Sequence, residues 1–269
     1  MNKKSVVKPS GIGGQAVLEG VMMKNKDRYA VAVRKPDGEI EVEEGTCKSL
    51  RDKYFICDLP IIRGVVTFVE SLVLGMKSLT DSSKYFEDEE DDAEEIDEDK
   101  KEKREKVETT FTVILSIILA VGIFMILPFF ISELLKKVVA SEKLLAVIEG
   151  VIRILLFIGY VFAISFVEDI KRVFMYHGAE HKTINCVEHM LPLTVENVKK
   201  QSREHKRCGT SFIFIVLFIS IIFFIFIRVD NMWLKILCRI LLVPVIAGVS
   251  YEFIRLAGKS ENSIVNALS

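Results

Sequence analysis

The feature that most limits how this chain can fold is a set of apolar runs long enough to cross about 30 Å of hydrocarbon. Two of them, Phe111 to Ile131 and Phe212 to Ile227, contain no charged side chain. A third, Val151 to Val167, is broken only by Arg153 near one end. The fourth lies between Met232 and Ile254, with Lys235 and Arg239 toward one end and Glu252 at the other. Charges near the ends of a span reach the headgroups by snorkelling, so they do not exclude the last two runs. A soluble chain of 269 residues, half of them hydrophobic, can also bury a large core. The length of the uninterrupted runs therefore decides, and it predicts a mainly α, polytopic membrane protein with about four transmembrane helices.

Orientation follows from the Lys and Arg beside the spans. Residues 100–106 just before the first span, the connection between the second and third and the tail after the fourth hold fifteen of these residues, against five in the other two connections. This places the long middle loop and both termini in the cytoplasm of a cell facing outward through its plasma membrane. Met1 to Ser10 is polar and lacks the short apolar core of a signal peptide, so the chain is expected to enter the membrane through its own first span. The net charge of −1 is strongly segregated along the sequence, which excludes a nucleic-acid binder with one basic face. Four of the five cysteines, Cys47, Cys57, Cys186 and Cys208, then face a reducing compartment.

Ahead of the membrane domain, residues 1–60 form a small cytoplasmic region. Tyr29–Arg34 and Glu39–Glu44 alternate around the turn signal Pro36-Asp37-Gly38, which predicts a β-hairpin, with Lys53–Asp58 as a further strand. The region is too short for a robust core of its own and should lean on the membrane domain or a partner. Residues 61–80 are apolar but carry Arg63, Gly64, Glu70 and Gly75, a pattern read as an interfacial or re-entrant helix. Residues 81–110 read as an acidic, disordered linker. Eleven of the thirteen residues from Glu87 to Asp99 are acidic, too dense to bury apolar surface. The four-helix membrane domain occupies 111–269.

The chemistry concentrates in the middle loop, 169–210. All four histidines, His177, His181, His189 and His205, fall there. His177-Gly178-Ala179-Glu180-His181 has the H-x-x-E-H form: two histidines at i and i+4 share a helix face and can hold one divalent metal, zinc first among them. Glu180 is placed to polarise a water as general base. Asn185 and Glu188 continue that face. A second helix is predicted from a Thr194 cap through Arg207 to Gly209, bringing His205 and Cys208 to one side. By analogy with the inverted zincins, which take a distant downstream glutamate, Glu252 is a further metal candidate beside His177, His181 and His205. Glu19, Cys186, Glu188 and Cys208 complete the candidate set, and Cys208 with His205 is the nucleophile alternative. The glycines of Gly11-Ile12-Gly13-Gly14 do not match a dinucleotide fingerprint and read as close-packing positions.

The segments Gly13-Gly14-Gln15-Ala16-Val17, Glu19-Gly20-Val21-Met22-Met23, Pro60 to Gly64, Tyr176 to Cys186, Leu193 to Asn197 and Arg207 to Phe212 together resemble the YqhQ-like bacterial membrane proteins. The resemblance runs in order along nearly the whole chain. Lys206 stands where the family pattern often has proline. The resemblance implies the multi-pass architecture and a metal-dependent enzyme without naming a substrate.

Two function classes stay open at the level of sequence: a membrane-embedded metal-dependent hydrolase, and a non-catalytic scaffold or assembly factor that binds another membrane protein or a second copy of itself. A transporter is disfavoured, because Glu149 and Arg153, spaced i, i+4, read as a structural pair at the end of a span.

Overall fold

A computed structural model describes residues 10–86, 98–205, 208–227, 229 and 231–257. They fall into two compact units. One is drawn from Met1–Phe86, Ile164–Val216 and Val243–Ser269, the other from Glu87–Ala163 and Leu217–Leu242.

In the first unit, four antiparallel strands form a meander in sequence order: β1 (Gly13–Val17), β2 (Gly20–Asn25), β3 (Arg28–Arg34) and β4 (Ile40–Thr46). The β3–β4 hairpin matches the alternation expected of it, with Gly38 at φ +88° in its turn. Strands β1 and β2 were not foreseen, because their glycines obscure the period-two pattern. One of those glycines is required by its neighbours: a Cβ on Gly20 would stand 2.2 Å from the Ala32 carbonyl oxygen of β3. Lys53–Asp58 is not a strand. Helix α1 (Leu50–Lys53) is capped by Ser49 and followed by a 3-10 turn, Phe55–Asp58, while the Glu70 carboxylate accepts from the Ser49 hydroxyl and from the Leu50 N–H at 2.6 Å. A side chain from a neighbouring helix thus satisfies the backbone that a strand would have had to pair.

Helix α2 (Ile62–Ser83) buries one face of small residues, Gly64, Gly75, Ser78 and Ser82, with Leu74 reaching the sheet core of Val17, Met22, Val31 and Val33. Its opposite face leaves Val69, Leu72, Val73 and Met76 exposed. At its start α2 meets helix α9 (Met232–Ala257) backbone to backbone: a Cβ on Gly64 would lie 2.9 Å from the Gly248 Cα. Arg63 and Glu252 close this contact with two 2.5 Å hydrogen bonds.

The second unit contains helix α3 (Glu98–Val121), a π-helical turn at Gly122–Ile126, α4 (Leu127–Leu135) and most of α5 (Glu142–Ile164). The acidic run from 87 to 97 lies outside the described residues. The expected linker is nevertheless too wide at both ends. Residues 81–83 belong to α2, and residues from Glu98 onward are described in helix α3, supported by pairs such as Arg104 with Glu108 at 2.9 Å, spaced i, i+4.

The protein is mainly helical, with the small N-terminal sheet. Among the described residues, three helical stretches are long and apolar enough to cross a membrane: Val107–Leu135, Glu142–Ile164 and Met232–Leu256. The fourth expected span corresponds to α8 (Gly209–Ile225), a shorter apolar helix of 17 residues. The outward side chains of α3, Phe111, Ile114, Ile118 and Leu119 among them, are exposed, a surface suited to hydrocarbon rather than water.

Candidate metal centre

Helix α6 (Glu168–Glu188) builds the site. The spacing 177, 181, 184, 188 is one helical stripe, and it carries the buried His181, Ile184 and Glu188 toward the interior of the first unit. Strands β1 and β2 pack on α6. Gly14 permits the closest approach, since a Cβ there would sit 2.6 Å from Glu180 Oε1.

Three donor atoms converge: His177, His181 and Cys208 each offer one ligand atom, all within 4.8 Å of one another. His177 Nε2 lies 3.3 Å from Cys208 Sγ, while its Nδ1 meets Glu180 Oε2 at 3.1 Å. His181 Nδ1 donates to the Arg203 carbonyl at 2.6 Å, leaving Nε2 as its inward nitrogen. Both imidazoles therefore have the outer nitrogen engaged by an oxygen acceptor. Metal-ligating histidines show the same habit, because the acceptor fixes the tautomer and the ring plane. The sulfur of Cys208 first, then the Glu180 carboxylate, hold a proton on His177 and push its pKa up to about 10. Cys208 likewise raises His181, helped by the Arg203 carbonyl.

The helix expected from Thr194 to Gly209 is much shorter. Thr194 does cap it, accepting from the Asn197 N–H, but α7 ends at Lys200. Side chains of α6 take over the next carbonyls: Lys182 donates to Lys199, Asn185 to Ser202 and Glu204, and His181 to Arg203. Carbonyls held by α6 in this way point at α6 rather than along a helix axis, and residues 201–205 lie against α6 without regular structure. His205 and Cys208 consequently do not share a helix face, and Asn185 is a strut rather than a donor to the site.

Of the other candidates, Glu188 and His205 form a neighbouring buried pair, His205 Nε2 to Glu188 Oε2 at 3.4 Å. The other oxygen of Glu188 accepts from the N–H and hydroxyl of Ser10 at 2.9 and 3.0 Å. The His205 ring centroid is 5.8 Å from that of His181, adjacent to the three converging donors without joining them. Cys186 is fully buried with its sulfur 3.6 Å from the Pro192 carbonyl. Glu252 is occupied by Arg63, and Glu19 by the Arg172 guanidinium and the Tyr176 hydroxyl. Arg172 holds the Glu19 carboxyl below its usual range. The structure thus gathers Cys208 in place of Glu252 and His205. The participation of Gly14 and of the Arg203 carbonyl had no sequence signal, since neither presents a reactive side chain.

A family model described as a protein of unknown function, DUF1385, matches residues 59–269. The chain belongs to this YqhQ-like DUF1385 family. It is 37% identical over 262 residues to "Uncharacterized protein YqhQ" of Bacillus subtilis (strain 168), covering 96% of this chain and 82% of that protein. No solved structure matches. The DUF1385 match includes every converging donor, His177, His181 and Cys208, whereas β1 and β2, with Gly14 and Glu19, precede it.

Proposed function

We propose that this DUF1385 chain is a plasma-membrane protein with cytoplasmic termini that holds a divalent metal of the zinc class at His177, His181 and Cys208, and acts as a metal-dependent hydrolase on a membrane-proximal substrate. The observation that carries the reading is the pair of imidazoles aimed at one sulfur with their outer nitrogens taken by Glu180 and the Arg203 carbonyl. Two nitrogens and one thiolate suit zinc, and three protein ligands leave a fourth position for substrate. A metal held there supplies Lewis acidity to a carbonyl or phosphoryl group. Glu180, 3% exposed and bonded to His177, acts in this reading as a positioning residue that keeps Nε2 turned inward.

Metal affinity should accordingly depend on residues that never touch the metal. Glu180→Gln and Gly14→Ala are both expected to weaken zinc binding by roughly 10- to 100-fold, the first by weakening the acceptor, the second by displacing it. Competition titration against a chromophoric chelator measures this; wild-type affinity in both variants would remove Glu180 from the site.

A second reading is favoured by one contact. Cys208, His177 and Glu180 stand in the order nucleophile, base and orienting acid. The variant His181→Gln separates the two: the metal reading expects lost zinc, whereas the thiol reading expects intact iodoacetamide labelling of Cys208 and unchanged activity in chelator.

The metal-free protein should also respond to pH with a definite sign. Cys208 and Glu180 push the His177 pKa up to about 10 from its ordinary value of 6.5. Its contribution to stability is full below about 6.5 and is lost as the pH rises toward 10. Thermal unfolding of chelator-treated protein should therefore show a falling Tm between pH 7 and 10, and His177→Gln should flatten that slope. Zinc, by replacing the proton on Nε2, should bind with release of protons and more weakly as the pH is lowered.

A further inference from the structure

Within the second unit, three charged side chains meet away from water: Glu149, Arg153 and Arg239 are 3%, 4% and 3% exposed. Both guanidiniums converge on the same carboxylate oxygen, Arg153 at 2.9 Å and Arg239 at 2.5 Å from Glu149 Oε1. Arg153 is otherwise satisfied, by the Ser220 hydroxyl at 3.2 Å and by the Phe124 carbonyl at 2.7 Å in the π-helical turn. Arg239 is not: among the described residues its buried Nε has no hydrogen-bond partner. Phe129 and Phe224 lie against the Arg239 guanidinium with ring centroids at 4.8 and 4.9 Å.

A cavity of about 30 Å³ adjoins this cluster, lined by Arg239, Glu149, Phe129, Ser132 and Lys235 among others. The formal charges at its rim sum to zero, Glu133 paired with Lys136 and Glu142 opposite in sign to Lys235, so among the described residues the buried trio carries one excess positive charge. An unpaired charge in a low-dielectric interior is strongly unfavourable. An arrangement that shares one carboxylate between two guanidiniums beside a cavity lined by Arg239 and Lys235 is stabilised by a further negative charge.

We propose that this cavity is a binding site for a small inorganic monoanion of halide size, held chiefly by Arg239. The cavity volume fits one or two water-sized species and excludes a polyatomic organic anion. The site lies among apolar helices and uses none of the residues of the metal reading, so either proposal can fail without the other.

The test is thermal unfolding of the full-length protein in neutral detergent, with sodium gluconate replaced stepwise by chloride or bromide at constant ionic strength. The expected result is a saturable rise in Tm of several degrees with either halide and none with gluconate. Arg239→Gln should abolish the rise, and Glu149→Gln, which adds one net positive charge without changing shape, should lower the half-saturating chloride concentration roughly tenfold. Equal Tm values across the anions overturn the proposal even if neither variant folds, because the wild-type series stands alone. A halide-driven rise that persists in folded Arg239→Gln also overturns it. Stabilisation by phosphatidylglycerol in chloride-free medium, with no halide effect, would assign the charge to a lipid headgroup and equally overturn it.

Discussion

Alanine at Cys208 is expected to abolish retention of zinc by the purified protein, with affinity falling more than about a hundredfold. The reason is geometric. The three donors lie within 4.8 Å of one another, and on the proposed reading Cys208, as a thiolate, would be the one anionic ligand among them. Without it two imidazoles remain, and two nitrogens do not hold zinc against competing buffer ligands. Cys186→Ala supplies the internal control: its sulfur is buried against the carbonyls of Leu191 and Pro192 and, among the described residues, belongs to no group of converging donors, so metal content should stay at the wild-type level. Elemental analysis after dialysis of the detergent-purified full chain distinguishes the two. One zinc per chain in the Cys208→Ala protein would dismiss the metal centre.

Valine at Gly20 should produce the largest loss of stability, about 3 kcal/mol or more, because the obstruction is backbone and cannot rotate away. A Cβ at that position would stand 2.2 Å from the Ala32 carbonyl oxygen and 3.0 Å from the Val33 Cα, in the middle of the β2–β3 ladder. The consequence extends beyond the sheet. β1 pairs with β2, and β1 carries Gly14, whose missing side chain lets Glu180 sit behind His177. Hydrogen exchange should therefore show lost protection throughout Gly13–Val17 and Gly20–Asn25, and zinc affinity should fall with it. A Gly20→Val protein with wild-type exchange rates would mean the strands part easily at this point.

Much of this was legible beforehand because it depends on short-range periodicity. The H-x-x-E-H spacing places His177 and His181 one turn apart whatever surrounds them, and the rings do face each other with centroids 4.3 Å apart. The Pro36-Asp37-Gly38 turn and its flanking alternation set the β3–β4 register in the same way. The boundary of α7 was not legible, since Thr194 signals where a helix starts while its end is set by α6 side chains that capture the carbonyls of Lys199, Ser202, Arg203 and Glu204. The third donor was not legible for a similar reason: the sequence put His205 and Glu252 ahead of Cys208 and Glu19. Only the structure shows Arg63 and Arg172 occupying the two carboxylates.

The buried trio divides along the same line. Glu149 and Arg153 are four apart and pair as the helix dictates, whereas Arg239 joins them across 90 residues and changes a neutral pair into a cluster with excess charge. The sequence by itself determined the apolar helices, the β-hairpin and the facing pair of histidines, because hydrophobic length and residue spacing act within a few turns of chain. The tertiary structure alone decided which charges cancel, which carbonyls are spoken for and which sulfur the histidines meet. Those outcomes depend on distances of 3 Å between residues far apart in sequence, where a single alternative partner takes a ligand out of play.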